Sequence, residues 1–241
     1  RFHTVQGILF DVVRELPAGA GVPRSLSAQW LVEVDGIESS YRKHKALVEA
    51  QGRFWKSNGI DAVLIKGLSV AAMYRVPEHR VLGDIDWCMP GRDNWRRSCD
   101  LVRAKGYRTT LDSDGDCNYV VDGIVVEHHR KGLPEQGVIG ELLMLSEHIL
   151  HHAMVTGIGL RHICDMAVAY SHYCGKYNMD EYVRALRRHG LYRWTALLNE
   201  VLRNMIGTPA EVLPAIPDSN LVRVGDVGLF NELVLSDGNF G

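Results

Sequence analysis

Short strand signals lie between two long stretches of helical spacing, and this order is the feature that most limits how the chain can fold. Within residues 60–130, five apolar segments end at Gly, Pro or Asp-Gly turn signals. These segments are Asp61–Ile65, Ile85–Met89, Tyr107–Leu111, Asn118–Val121 and Ile124–His129. Because a β-rich middle lies between helical flanks, the pattern predicts an α+β core with helices on both sides of it in the sequence.

The same pattern predicts three parts: an N-terminal helical region at 1–57, a core at 58–132, and a C-terminal helical lobe with a tail at 138–241. The stretch from Ser25 to Trp55 predicts two or three helices after a loop rich in Pro and Gly. Leu68–Tyr74 and Asp93–Lys105 predict two helices inside the core. Helical spacing returns from Ile139 to Ile206, and the tail after Pro209 predicts irregular structure.

Composition excludes some functions but selects none. A formal net charge of −2 excludes a strongly basic nucleic-acid binder of the histone type, although a local basic groove remains open. The five cysteines include no C-x-x-C pair, which predicts reduced thiols. The sequence lacks an apolar run of the ~18 residues that span a bilayer and the pattern of a signal peptide. We therefore expect a cytoplasmic protein with no membrane partner.

The segment Gly83-Asp84-Ile85-Asp86-Trp87 carries two carboxylates, two residues apart, on a predicted strand. Strand side chains alternate between faces, so Asp84 and Asp86 are predicted to share one face, with Ile85 and Trp87 on the core face. Two such carboxylates repel each other unless a cation lies between them. Oxygen ligands of this kind suit Mg²⁺.

Residues around this pair supply what an anionic substrate needs. Lys66-Gly67 ends the first predicted strand and opens a helix, whose first N–H groups and the Lys66 charge favour an anion. Arg80 precedes the acidic pair. Glu127 is a third acid, on another predicted strand, and shares a face with His129. Acids that hold two metal ions beside a phosphate-binding helix start are typical of nucleotidyl transfer.

The segment Ile60-Asp-Ala-Val-Leu-Ile-Lys-Gly67, followed by Tyr74, Pro77, Arg80 and Gly83-Asp-Ile-Asp86, resembles the uncharacterised nucleotidyltransferase family of the DNA polymerase β superfamily. Glu127-His128-His129 resembles the acid-x-His strand of that family. His148–His152 and Gly159-Leu-Arg-His-Ile-Cys-Asp165 resemble its His-rich helix and the segment that follows. The resemblance covers roughly residues 45 to 205.

The resemblance implies a mixed β-sheet with helices, Mg²⁺, and transfer of NMP from an NTP, with ATP expected, to a hydroxyl. It implies that Asp84 and Asp86 hold both metal ions. Glu127 would complete the catalytic metal site and help to deprotonate the acceptor. The remaining roles are contacts to the triphosphate by Lys66, the Gly67 amide and Arg80, with His129 near the metals or a phosphate. Lys66-Gly67 replaces the usual Gly-Ser of the superfamily, and the acceptor is open: a small molecule, peptide, protein or RNA.

Other interpretations of the same residues remain. A catalytically weak nucleotide-binding or antitoxin-like module could have the same fold. A metal hydrolase could use His148, His151 and His152, although no H-E-x-x-H is present. Asp112-Ser-Asp114-Gly-Asp116 is similar to a calcium loop, but Cys117 stands where that loop needs Gly. A solvated hairpin turn is the preferred interpretation of this run.

Overall fold

The computed structural model describes residues 4–17, 19–216 and 224–235 and has the predicted α+β fold. The described residues contain nine α-helices and one mixed sheet of five strands. Contacts divide the chain into two compact units. One unit is Val5–Gly132, and the other contains Thr4 and the described residues from Leu133 onward. No helix in the described part of the chain is both long and apolar enough to cross a bilayer.

The first unit contains four helices and all five strands. In chain order these are α1 (Gln6–Arg14), α2 (Arg24–Ser57), β1 (Val63–Ile65), α3 (Gly67–Ala71), β2 (Ile85–Cys88), α4 (Arg92–Ala104), β3 (Thr110–Leu111), β4 (Cys117–Val121) and β5 (Ile124–His129). A 3₁₀ turn, Pro77–His79, lies between α3 and β2. Helix α3 ends at Ala71, one turn earlier than predicted. The predicted strands correspond to β1 to β5: β1, β2 and β3 are shorter than predicted, β4 begins one residue earlier, and β5 has the predicted bounds.

The second unit is helical. Its helices are α5 (Gly137–His151), α6 (Leu160–Tyr173), α7 (Met179–Arg188), α8 (Tyr192–Val201) and α9 (Val224–Leu235), with π turns at His152–Thr156 and Leu202–Ile206 and a 3₁₀ turn at Ala210–Val212. Helix α9 corrects the prediction of an irregular tail, because its apolar side chains pack: Phe230 meets the Trp194 ring, and Val234 is fully buried. Residues 217–223 and 236–241 of that tail lie outside the described residues.

Helix α2 is continuous over 34 residues, so the prediction of two or three helices in this region was wrong. Its buried side chains include Val34, Tyr41, His44, Gln51 and Trp55. These positions recur at intervals of three, four or seven residues, which forms one unbroken stripe along the helix. No proline interrupts that stripe after Pro23, so packing keeps the helix intact through its internal glycines.

The sheet has the strand order β1-β2-β5-β4-β3. Strands β2 and β5 pair in parallel, and the other neighbours pair antiparallel. The parallel register sets Asp86 beside Glu127, Trp87 beside His128, and Cys88 beside His129. Because side chains alternate along each strand, this register divides β2 and β5 into two faces of different composition.

One face of these strands, which we call the back face, packs against α2 and α4. It presents Ile85, Trp87 and Val126 to a hydrophobic cluster with Trp55 and Val102. The polar atoms of this face are connected by a buried chain of hydrogen bonds. Its links are Trp87 Nε1 to Gln51 Oε1 at 2.7 Å, Gln51 Nε2 to Tyr119 OH at 3.0 Å, Tyr119 OH to His128 Nε2 at 3.2 Å, and His128 Nδ1 to Ser98 Oγ at 3.0 Å.

Each buried polar group in that chain has a partner, whereas the neighbouring Trp55 Nε1 is buried without one among the described residues. Burial, assisted by the neighbouring His129 charge, lowers the pKa of His128 to about 3. His128 is therefore neutral at ordinary pH, and it can donate from Nδ1 to Ser98 and accept at Nε2 from Tyr119. The network fixes the register of β2 and β5 from behind.

Candidate functional site

The opposite face of β2 and β5, which we call the front face, gathers charged side chains. Asp86 and Glu127 are direct neighbours in the parallel register, and His129 lies two residues beyond Glu127 on the same face. One ligand atom from each of these three residues lies within 4.8 Å of the other two. The front face therefore brings together three of the residues that the sequence predicted for the site.

Asp86 is the most buried member of this group, with 2% of its side chain exposed. Its Oδ1 accepts hydrogen bonds from Lys66 Nζ at 3.0 Å and from His129 Nε2 at 2.8 Å. Burial alone would raise the pKa of Asp86, but the bonds and charges of His129 and Lys66 outweigh burial and lower it. Asp86 is consequently an anion held between two cationic groups.

His129 is the centre of this arrangement. Its Nδ1 donates to Asp116 Oδ2 at 2.7 Å, while Nε2 donates to Asp86. Burial lowers the pKa of His129, but the hydrogen bonds to Asp116 and Asp86 exceed that effect and raise it to about 9. The ring is therefore an imidazolium with both N–H groups bound to carboxylates, which fixes its orientation.

The pKa of Glu127 is shifted in the opposite direction to that of Asp86. Burial of Glu127 raises its pKa, and the negative charges of Asp86 and Asp84 raise it further, to about 7. The carboxylate lies 3.6 Å from His129 Nε2. A cation among these acids would relieve the repulsion, and carboxylate oxygens suit Mg²⁺. By this test, the donor atoms fit a divalent cation.

Asp84 lies at the edge of the site. The prediction put Asp84 and Asp86 on one strand. Strand β2 begins at Ile85, so Asp84 instead lies just before the strand. Asp84 is exposed and is not in the group whose donor atoms lie within 4.8 Å of one another. Its charge nevertheless contributes to the raised pKa of Glu127. Whether it shares a metal with Asp86 therefore stays a prediction.

The loop from β1 to α3 lies against the same segment. A Cβ on Gly67 would come within 3.4 Å of the Asp84 carbonyl oxygen, and Gly67 has φ +37°. Lys66 has φ 54° and ψ −149°, a conformation that costs a non-glycine residue of order 1–3 kcal/mol. Such strain is found mainly at functional sites, and here it accompanies the Lys66 bond to Asp86. Arg80, also predicted for the site, is buried, with Nη1 donating to the Val81 carbonyl at 3.4 Å.

Two residues of this site were missed in the sequence. Asp116 was assigned to a hairpin turn, and the turn is present, because Asp112 Oδ1 accepts from the amides of Asp114 and Asp116. Asp116 also binds His129 and the Arg130 amide, which no local signal indicates. His44 on α2 is buried, and its Nε2 bonds the Gly83 carbonyl at 2.9 Å. It thereby fixes the segment that leads into Asp84.

Comparison with known proteins identifies the first part of the chain. The model of a family described as an uncharacterised nucleotidyltransferase matches residues 1–140. The match includes α1 and all of α2, so it starts earlier than the predicted resemblance, and it ends in the first turn of α5, before His148. No curated protein and no solved structure matches the chain. Since the match covers more than half of the sequence and every residue of the front-face site, the chain belongs to the uncharacterised nucleotidyltransferase family.

Proposed function

We propose that the chain transfers NMP from an NTP, with ATP expected, to a hydroxyl of an acceptor and needs Mg²⁺ to do so. One observation carries the proposal: Asp86 and Glu127 are neighbours on parallel strands, with Lys66 and His129 around Asp86. Family membership supports the general chemistry of nucleotidyl transfer. The acceptor, whether small molecule, peptide, protein or RNA, is not indicated by these residues.

Asp86 and Glu127 would hold Mg²⁺, with Asp84 as the third acid of the predicted two-metal site. When bound, Mg²⁺ offsets the charge of the triphosphate and polarises its phosphorus–oxygen bonds. Lys66, the Gly67 amide and Arg80 would contact the triphosphate, because each offers a donor to an anion. His129 supports Asp86 from the other side and is itself held by Asp116.

The transfer makes one bond and breaks another. The acceptor oxygen attacks the α-phosphorus, the bond from that phosphorus to the β-phosphate oxygen breaks, and pyrophosphate leaves with the bond electrons. The acceptor must lose a proton in the process. Glu127, the neighbour of Asp86 in the parallel register, would help to take this proton, as the family resemblance implies.

A second candidate function is a catalytically weak nucleotide-binding module. The observation that favours it is the neutralisation of Asp86 by Lys66 and His129, since a metal ion must compete with two cations for this carboxylate. Such a protein would bind NTP and Mg²⁺ without appreciable turnover. The two functions are separated by product formation, because binding alone releases no pyrophosphate.

The proposal is tested by incubating the full chain with each α-labelled NTP and Mg²⁺, with and without cell extract. Asp86→Asn removes the charge of the central carboxylate and keeps its size. Asp114→Asn is the matched control, because Asp114 is an exposed acid in the β3–β4 turn. We expect Mg²⁺-dependent label transfer and pyrophosphate release by the wild type and Asp114→Asn, with loss of both in Asp86→Asn.

Four results are informative. Label in protein would identify self-modification or a protein acceptor, and label in a small-molecule fraction would identify a metabolite. Tight NTP binding without any product would favour the binding module. Turnover that is unchanged in Asp86→Asn would contradict the assignment of the front-face site.

A further inference from the structure

A second cluster of possible metal ligands lies in the helical unit that contains the described residues from Leu133 onward. His148 and His152 are one turn apart at the end of α5, and His162 is in the first turn of α6. The His152 and His162 rings stack with centroids 4.3 Å apart, and the His148 ring meets His152 edge-on at 4.5 Å. One nitrogen from each ring lies within 4.8 Å of the other two.

From this geometry we infer that His148, His152 and His162 form a binding site for a divalent transition metal of the Zn²⁺ class. Imidazole nitrogens suit Zn²⁺, Cu²⁺, Ni²⁺ and Fe²⁺ and do not select Mg²⁺. Three protein ligands leave a fourth position for water or another ligand, as in sites with three histidines. The inference does not depend on nucleotidyl transfer, because these residues lie outside the matched range 1–140.

The three imidazole nitrogens must move slightly closer together to bind one Zn²⁺ ion. Tetrahedral Zn–N bonds of about 2.0–2.1 Å put the ligand nitrogens about 3.3–3.4 Å apart, so nitrogens within 4.8 Å of one another need to approach by at most ~1.5 Å. Rotation of the imidazoles about their side-chain bonds can supply this approach, since all three side chains extend from neighbouring turns. The cluster is therefore close to a binding geometry before any metal enters.

The backbone between these histidines is unusual. Helix α5 changes at His152 into a π turn, and the chain then reverses at Gly157, which has φ +90°. Turns of π geometry are rare and occur often at functional sites. The turn and the reversal bring His162 back beside the last turn of α5. A bound metal would join these two helix ends across the reversal.

A metal ion that binds His162 must replace an existing hydrogen bond of that ring. The Gly159 amide donates to Nδ1 of His162 at 3.1 Å. A neutral ring that accepts at Nδ1 carries its proton on Nε2. Metal at Nδ1 takes the place of the Gly159 proton, and metal at Nε2 moves the ring proton to Nδ1, where Gly159 no longer has an acceptor. In either case, the Gly159 bond is exchanged for a metal bond.

The test compares zinc binding by the full chain and its variants after removal of metals with EDTA. His148→Ala, His152→Ala and His162→Ala remove single ligands. His151→Ala is the matched control, because His151 is exposed on the same helix and outside the cluster. Asp86→Asn removes a ligand of the front-face group, which could also take zinc. Zinc is titrated against a chromophoric chelator, with excess Mg²⁺ present.

We expect one equivalent of zinc in the wild type, His151→Ala and Asp86→Asn, and at least a tenfold weaker affinity when any cluster histidine is replaced. Cobalt bound to Asp86→Asn should give the visible absorption of nitrogen-coordinated tetrahedral Co²⁺. The Asp86→Asn arm keeps the test decisive if a cluster variant fails to fold. Absence of bound zinc and of a cobalt spectrum there, or zinc binding by the cluster variants equal to that of His151→Ala, would overturn the inference.

Discussion

The two faces of strands β2 and β5 differ sharply although they are built from the same ten residues. The back face presents Trp87 and His128, side by side in the register and linked by neutral hydrogen bonds through Gln51 and Tyr119. The front face presents Asp86 and Glu127, also side by side, with ionic partners. The difference shows how one pair of strands can present a neutral, hydrogen-bonded face and a charged face.

The contrast is clearest in two consecutive histidines. His128 is buried among hydrogen-bond partners and has a pKa near 3, whereas His129 lies between two carboxylates and has a pKa near 9. Relative to the ordinary value of 6.5, His128 contributes stability that is lost as the pH falls below 6.5. His129 contributes stability that is present below 6.5 and is lost as the pH rises through 9. The face of β5 on which each histidine lies therefore decides whether its ring is neutral or charged.

Replacement of a front-face acid should give the largest effect, both on transfer and on the pH dependence of stability. Glu127→Gln should lower nucleotidyl transfer at least about a hundredfold, because a metal ligand is worth several kcal/mol to the transition state. It should also raise stability in metal-free buffer at pH 8. The pKa of Glu127 is raised from 4.5 to about 7, so the wild type loses at most about 3 kcal/mol of stability as the pH rises across this range.

Initial rates of label transfer and urea unfolding at pH 5 and pH 8 measure these two effects. Asp114→Asn serves again as the exposed-acid control. Equal stability gains at pH 5 and pH 8 would contradict the electrostatic explanation, since Glu127 carries little charge at the lower pH.

A substitution on the back face should lower stability and leave turnover almost unchanged. Tyr119→Phe removes the hydroxyl that connects Gln51 to His128, so two buried polar groups lose a partner. We expect a loss of about 1–3 kcal/mol in the free energy of unfolding and almost unchanged turnover of the folded protein. Tyr107→Phe is the matched control, because the Tyr107 side chain is exposed. Urea unfolding measures the loss, and a stability equal to that of the control would contradict a stabilising role for the back-face hydrogen bonds.

Lys66 should affect substrate binding more than structure. Lys66→Met removes a cation that bonds Asp86 and is predicted to contact the triphosphate. We expect the KM for the NTP to rise about tenfold, since hydrogen bonds to charged groups contribute about 1.5–3 kcal/mol. Lys66→Arg keeps the charge and should stay near the wild type. Steady-state kinetics separate KM from kcat, and a fall in kcat alone would argue against a contact to the bound nucleotide.

The smallest expected effect concerns the protonation states of His128 and His129, which can be measured directly. Nitrogen-15 NMR of the imidazole rings should show His128 neutral, with its proton on Nδ1, and His129 doubly protonated from pH 5 to pH 8 in metal-free buffer. Asp116→Asn removes one carboxylate partner of His129 and should lower its pKa while His128 is unaffected. A His129 that titrates near 6.5 in the wild type would contradict the ionic front face.

Local patterns in the sequence were sufficient for much of this fold. Alternation along β2 and β5 and the turn residues that close each strand predicted the strands, and the front and back faces follow from this alternation. The front-face residues Asp86, Glu127 and His129 were predicted for the same reason. Their roles in binding and catalysis remain predictions until activity is measured.

Long-range contacts account for what the sequence could not provide. Asp116 reaches His129 across a turn whose local residues indicate only a solvated hairpin. His44 reaches Gly83 from 39 residues away. His162 joins His148 and His152 only because the chain reverses between α5 and α6. In each case, the spacing along the chain carries no periodic signal, since the contact depends on how separate elements pack.

The most direct test of the division between the two faces is Mg²⁺-dependent label transfer per folded molecule in Asp86→Asn and Tyr119→Phe, measured together. Circular dichroism and urea unfolding set the folded fraction of each variant. We predict that Asp86→Asn stays folded and loses transfer, whereas Tyr119→Phe loses stability and keeps the transfer rate of the wild type. Transfer retained by folded Asp86→Asn, or an equal loss of transfer in both variants, would contradict the assignment of chemistry to the front face.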